Sequence, residues 1–384
     1  MKLAVLRELQ SQENRVAAVP ETVKQLISLG LDVFVEKGAG EKSSFSDREY
    51  ETSGAKIFSD RKILSEMDII IIVQASLGND NKLLSLKKNT ILIGLLEPFS
   101  NLDLVKSLAS KDLLAFSLEL LPRITRAQSM DVLSSQSNLA GYKSVIDAAA
   151  IYGKAMPMMM TAAGTVAPAK VFVLGAGVAG LQAIATAKRL GAIVYATDVR
   201  PSVKEQVESL GGKFIFYESD ETKNAETEGG YAKEMSVEYQ KKQELLVHET
   251  LLKSDIAICT ALIPGRKAPI LIKKNTVQSM KKGSVIVDLA VEQGGNCEFS
   301  ELGKIADING VKIVGYENFP SRIATDASSL YSKNIFNFIK LIIDSNEKKI
   351  NIDWEDEIIK SSLLTKDGKI VNPIIDEDKI GKDG

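Results

Sequence analysis

The residues whose types and spacing most clearly specify chemistry are Gly175-Ala176-Gly177-Val178-Ala179-Gly180. Three glycines in this spacing, between a strand and a helix, form the turn that dinucleotide phosphates require. The context is right: the apolar run 170–174 precedes the turn and a helical pattern follows it through residue 187. Each glycine has its own job. Gly175 permits the tight turn, Gly177 lets backbone approach a pyrophosphate, and Gly180 allows helix and strand to pack closely. Val178 opens the helix, whose first N–H groups carry partial positive charge toward the phosphates. Asp198 ends the next apolar run, 193–197, twenty-one positions beyond Gly177. A carboxylate there can accept hydrogen bonds from ribose hydroxyls, as NAD(H) requires. Against a 2′-phosphate it is a like charge, worth up to ~4 kcal/mol at ~4 Å and an effective dielectric of ~20. Arg200, two residues on, could approach a phosphate and works in the opposite direction; the balance favours NAD(H). Gly38-Ala39-Gly40 has no following apolar helix and no acid at the right distance, and reads as a turn.

These residues need a scaffold, and the pattern of the chain supplies one. Short runs rich in Ile, Val and Leu at 3–6, 32–35, 68–73, 90–96 and 114–118 alternate with helix-like segments such as 21–29 and 103–110. A second alternating series has strands at 170–174, 193–197, 213–216, 255–260, 284–289 and 312–314, with helices at 178–190 and 202–210. Such alternation implies crossover units and parallel sheets covered on both faces. The expected architecture is α/β: two doubly wound parallel-sheet, Rossmann-like domains joined by long helices. Residues 1–136 plus 322–384 would form the first domain and 137–321 the second, with a helical, Ala/Met-rich connector from 137 to about 160, bent or broken at Pro157. Residues 218–242 are polar, contain Gly229-Gly230 and are long for a connection inside a domain, as functional loops are. Lys366-Asp367-Gly368 reads as a hairpin turn.

The bulk numbers narrow the function. At 384 residues two domains are natural, and 45% hydrophobic with 26% charged residues is the balance of a globular protein. A net charge of −2 offers no basic field for nucleic acid or an anionic membrane. Two cysteines, Cys259 and Cys297, and a single histidine, His248, argue against a zinc site or a disulfide framework. Cys259 reads as a buried structural thiol and His248 as a residue on a solvated helix face. The N-terminus lacks a signal-peptide core, and the uncharged stretch 171–187 is better explained as strand, turn and helix than as a membrane span.

Longer stretches carry a resemblance. Residues 123–142, Arg-Ile-Thr-Arg-Ala-Gln-Ser-Met-Asp-Val-Leu-Ser-Ser-Gln-Ser-Asn-Leu-Ala-Gly-Tyr, resemble the NAD(H)-binding component of proton-translocating transhydrogenase. So do Pro157-Met158-Met159-Met160-Thr161-Ala162-Ala163-Gly164-Thr165, Gly229-Gly230-Tyr231-Ala232-Lys233-Glu234-Met235, Asn14-Arg15-Val16-Ala17, and Ser321-Arg322 with Asp326-Ala327-Ser328. Alanine dehydrogenases share the fold plan and are the nearest alternative. The resemblance implies that this chain binds NAD(H) and exchanges hydride directly with NADP(H) held on a partner component. A membrane-embedded component would couple that transfer to proton movement. It further implies a homodimer at the inner face of the cytoplasmic membrane, held there by partner subunits and not inserted itself, any spanning helices lying on another polypeptide. Gln128 would orient the dihydronicotinamide, with Arg123, Asp131 and Ser134 hydrogen-bonding around it. Asp198, Val199 and Arg200 would hold the adenosine ribose and adenine. Gly230, Gln243 and Leu262 would line the adenine and ring pockets, and the loop around Tyr231 would close on the nucleotide. An alanine dehydrogenase needs a lysine and a histidine where this sequence carries Gln74 and Leu96 or Glu97. A purely regulatory NAD-binding module is the remaining reading, since one fingerprint cannot complete a two-nucleotide reaction.

Overall fold

Strands that read as unbroken apolar runs are buried on both faces, and the computed structural model has two such sheets. It describes residues 1–75, 86–217, 236–263 and 265–375. The chain divides into two compact units, Met1–Gln136 with Ser321–Gly384, and Ser137–Pro320. Ser321 falls in the first unit, one residue earlier than the sequence suggests. Its hydroxyl accepts the Asn14 N–H at 2.7 Å and donates to the Gln12 carbonyl at 2.6 Å.

The first unit begins with β1 (Lys2–Val5), α1 (Pro20–Ser28), β2 (Asp32–Glu36), α2 (Asp47–Thr52), β3 (Lys56–Phe58), β4 (Ile69–Gln74), β5 (Ile91–Leu95), α3 (Leu102–Ser110) and β6 (Leu114–Ser117). Helix α4 (Val132–Ile151) runs across the unit boundary in sequence. The second unit continues with β7 (Met159–Thr161), β8 (Gly164–Val166), β9 (Lys170–Leu174), α5 (Val178–Arg189), β10 (Ile193–Thr197), α6 (Lys204–Ser209) and β11 (Lys213–Phe214). It closes with α7 (Val237–Lys253), β12 (Ile256–Cys259), α8 (Lys274–Ser279), β13 (Val285–Asp288), β14 (Lys304–Ile308) and β15 (Val311–Gly315). The chain then returns to the first unit through α9 (Ala324–Ile342), β16 (Ile343–Asp344), β17 (Lys349–Ile350), α10 (Glu357–Ser362), β18 (Leu363–Lys366) and β19 (Lys369–Ile370).

In the first unit the sheet order is β19-β18-β6-β5-β4-β1-β2-β3, parallel from β6 to β3 with an antiparallel hairpin on the β6 edge. Asp367 and Gly368, at φ 49° and 75°, make the hairpin turn that Lys366-Asp367-Gly368 announces. Alternate residues of each strand face opposite cores. Ile69, Ile71 and Val73 pack with α1, α9 and α10, whereas Ile70 and Ile72 pack with Leu104, Val105 and Leu108 of α3. The second sheet has the order β11-β10-β9-β12-β13-β15-β14, parallel except for β14. Its faces are covered by α4, α5 and α6 on one side and by α7 and α8 on the other. Both units are therefore doubly wound, as expected.

The connector departs from expectation. Helix α4 stops at Ile151, and β7 and β8 pair as a two-stranded hairpin. Gly153 and Pro157 end the helical stretch. Met158, Met159, Met160 and Val166 are left exposed, Met160 at 77%.

Candidate functional site

In the second unit β9 pairs with β10 on one side and with β12 on the other, so the strand order reverses at its carboxyl end. A crevice at such a switch point is where open α/β sheets take their ligands. The glycine turn stands there. Gly175 has φ 101°, a conformation open to glycine, and its N–H donates to the Thr197 carbonyl at 2.9 Å. A Cβ on Gly180 would lie 1.9 Å from the Gly175 carbonyl oxygen. No other residue type fits that approach of helix to strand. A Cβ on Gly177 would meet nothing within 4 Å, so the face of the turn there is open. Gly177 caps α5 and Val178, 42% exposed, begins it, with no side chain bonded to the free N–H groups of its first turn. These donors, and the room above Gly177, fit a pyrophosphate.

Asp198 follows β10 and ties the turn to the next strand. Its Oδ2 accepts the Ala176 N–H at 2.8 Å and its Oδ1 accepts the Arg200 N–H at 2.9 Å. The Arg200 guanidinium adds two bonds, Nε to Oδ1 at 2.9 Å and Nη2 to Oδ2 at 2.8 Å. Each carboxylate oxygen thus accepts twice, and the Asp198 side chain is only 7% exposed. A ribose diol reaching Asp198 must displace the Arg200 fork. Val199, between them, is half-buried. Gln243, on α7, donates from Nε2 to the Thr197 hydroxyl at 2.8 Å and accepts the Tyr217 N–H at 2.9 Å. Both ends of its amide are engaged, so it braces the end of β10. Leu262, past β12, is 41% exposed. Gly230 and Tyr231 lie outside the described residues.

The polar loop assigned to the nicotinamide by resemblance belongs to the first unit. Residues Thr125–Met130 form a 3-10 turn pinned by Ala127 and Met130 in the core, which leaves Gln128 exposed; Arg123 is exposed as well. Asp131 caps α4: its carboxylate accepts the Ser134 N–H at 2.8 Å and the Ser134 hydroxyl at 2.5 Å. Two asparagines of α9, which no motif in the sequence singles out, clamp this turn. Asn334 and Asn337 donate to the Ser129 carbonyl at 2.9 and 3.1 Å. Arg126 binds Asp356 bidentately at 2.7 and 2.8 Å, and that bond holds the Asp356 carboxyl below its usual range.

Other residues that position the second-unit site lie beyond the reach of the fingerprint. Thr260 donates to the Gly175 carbonyl at 2.9 Å. Asp288 is fully buried and accepts from Ala290, Asn296 and Cys297 N–H groups and the Ser300 hydroxyl. Asn296 in turn brackets Ala261, beside Leu262, through bonds of 3.1 and 2.9 Å. No local pattern marks such long-range bonds. Burial pushes the Cys259 thiol up and that of Cys297 up to about 11, which suits structural thiols. His248 departs from expectation: it is half-buried, and its Nδ1 meets the Thr276 hydroxyl at 2.9 Å. Among the described residues no cluster of His, Cys, Asp or Glu could hold a metal, and no helix is long and apolar enough to cross a membrane.

A glycine turn at a switch point, with an acid at the end of the neighbouring strand, defines a Rossmann-type nucleotide-binding unit. The chain belongs to the alanine dehydrogenase/PNT family: the N-terminal domain of that family matches residues 4–140 and the C-terminal domain matches residues 144–373. Over 380 residues it is 53% identical to the first portion of the NAD(P) transhydrogenase alpha subunit of Rhodospirillum rubrum, covering 98% of this chain and 99% of that relative. The solved transhydrogenase of Sinorhizobium meliloti superposes with a TM-score of 0.88 at 48% identity, over 97% of this chain and 100% of the other. "Alanine dehydrogenase 1" of Staphylococcus aureus is more distant, 30% identical over 97% of this chain and 95% of its own. These likenesses support a transhydrogenase-type NAD(P) oxidoreductase.

Proposed function

We propose that the chain is the NAD(H)-binding subunit of a proton-translocating transhydrogenase. It exchanges hydride directly with NADP(H) on a partner component, and a membrane component couples the exchange to proton movement. The observation that carries this reading is the phosphate turn with Asp198 bonded into it, in a chain 53% identical throughout to a transhydrogenase subunit. Gly175, Gly177, Val178 and Gly180 hold the pyrophosphate, and Asp198, Val199 and Arg200 hold the adenosine half. Gly230, Tyr231, Gln243 and Leu262 complete the nucleotide contacts. The nicotinamide, when bound, gives or takes hydride and needs no proton donor. Gln128 orients that ring, while Arg123, Asp131 and Ser134 supply hydrogen bonds around it; their task is alignment. Localisation at the inner face of the cytoplasmic membrane then follows from the partner subunits.

Titration of nucleotide fluorescence should show NADH binding more tightly than NADPH. Asp198→Asn should narrow that preference and Arg200→Gln should widen it, because the guanidinium offsets the carboxylate. Equal affinities for the two nucleotides in the unaltered chain would overturn the NAD(H) assignment. The same preparation should not reduce NAD with L-alanine. Gln74 donates to Glu97 at the carboxyl ends of the central strands β4 and β5, and Leu96 is buried, so neither the lysine nor the histidine of that chemistry is there. Robust alanine-dependent turnover would favour the dehydrogenase reading.

The exposed β7–β8 hairpin, with its run of methionines, supports the homodimer, since a lone subunit would leave Met158, Met159 and Met160 in water. Light scattering should give twice the chain mass. Replacing the three methionines with serine should shift the mass toward one chain, and a monomer before substitution would refute the dimer.

A further inference from the structure

We infer that Gly141 is a positioning residue for the phosphate turn: the bare backbone at this point of α4 fixes where the first turn of α5 stands. The inference rests on the reading that this turn holds a pyrophosphate.

Within the second unit α4 and α5 meet through small side chains. Ala140, Val145 and Ala148 of α4 share a core with Ala183, Ile184 and Ala187 of α5. Asn138 Nδ2 donates to Gln182 Oε1 at 3.4 Å, and Gly141 lies against Ala179. As α4 advances from 138 to 141 its partners retreat from 182 to 179, so the helices cross in opposite senses. Gly141 therefore meets α5 at the end that carries the phosphate turn. A Cβ at Gly141 would lie 2.0 Å from the Ala179 carbonyl oxygen, 2.8 Å from its carbon and 2.9 Å from its Cα. All three are backbone atoms, so no rotamer change relieves the overlap.

Neither helix can yield cheaply. On the far side of the turn, Gly180 stands so close to the Gly175 carbonyl that its own Cβ would overlap it at 1.9 Å. Thr260 bonds that same carbonyl at 2.9 Å. On the near side Ser144, fully buried, donates to the Gly141 carbonyl at 2.8 Å. The first turn of α5 is thus held between β9 and α4. A methyl group inserted at 141 must displace the N–H groups of residues 177–179 or drive α4 outward. Gly141 touches no nucleotide-binding atom itself; it acts through Ala179.

Calorimetric titration of Gly141→Ala with NADH and, separately, with adenosine tests this. Adenosine uses the Asp198 side of the site and has no phosphates. Overpacking of this kind should weaken NADH binding roughly tenfold to hundredfold, while adenosine, which is coupled to the turn only through the Asp198–Ala176 bond, should lose about threefold or less. Equal losses for both ligands, or no loss for either, would overturn the proposal. If the variant unfolds in plain buffer, both titrations are run in sucrose, which favours the compact state. Failure to fold even there would also overturn it, since the glycine would then serve the fold and not the turn. Should the unaltered chain fail to bind NADH, the nucleotide reading itself falls, and that outcome is distinct from the others.

Discussion

Gln128→Asn should slow hydride transfer about 100-fold while leaving NADH affinity within about threefold. The expectation follows from how its backbone is held. Ala127 and Met130 anchor the turn in the core, Asn334 and Asn337 take the Ser129 carbonyl, and Arg126 is forked onto Asp356. That backbone will not move to compensate a shorter side chain. Removing one methylene withdraws the amide by about 1.5 Å, and a misplacement of that size costs rate steeply when two rings must approach in line. Arg123→Ala and Asp131→Asn should act in the same direction. Asp131→Asn adds a modest stability cost, because the carboxylate also caps α4. Stopped-flow transfer rates set beside NADH titrations decide the matter. If affinity fell by the same factor as the rate, these would be ordinary binding groups.

Glu13→Ala should lower the stability of the first unit by about 3–5 kcal/mol, a fall of on the order of 10 °C in its melting temperature. Glu13 is 1% exposed and Arg15 4%, and the two are joined by bonds of 2.8 and 2.6 Å. The third limb of the guanidinium reaches Gln136 at 2.9 Å, and Gln136 itself donates to the Ala327 carbonyl at 3.1 Å. Loss of Glu13 leaves a buried cation without its counter-charge, which is worse than never having had the pair. Replacing both residues, as Glu13→Met with Arg15→Met, should recover much of the loss. Calorimetry that found the single and double variants equally unstable would mean the pair matters through packing alone.

Arg15 also illustrates what a sequence shows and hides. Asn14-Arg15-Val16-Ala17 is recognisable as a motif, but nothing local reveals that its cation is buried on a glutamate two residues before it and a glutamine 121 residues after it. The central strands of both sheets are legible because burial on both faces leaves an apolar run with no polar alternation. Short elements are not. Helix α2 is six residues long, too short to show a helical period, although Ser46 and Glu49 form a capping box that the sequence displays. Residues 152–160, which lead into the β7–β8 hairpin, read as helix because Met and Ala favour helices, and the exposed methionines give no apolar period to contradict them. The geometry of the glycine turn is fully legible, since its three glycines and Asp198 lie within one strand–helix–strand unit. Its supports, Thr260, Asn296, Asp288 and Gly141, come from elsewhere in the chain and meet backbone groups, whose positions a side-chain pattern does not record.

Direct transfer of hydride between NAD(H) on this chain and NADP(H) on a partner leaves an isotopic trace. The most direct test mixes the purified chain, the NADP(H)-binding component, NADP⁺ and NADH carrying deuterium at both C4 positions, and weighs the NADPH formed. Direct transfer gives deuterated NADPH with no washout to solvent, formed only when both proteins are present. NADPH without deuterium, or none at saturating amounts of both proteins, would contradict it.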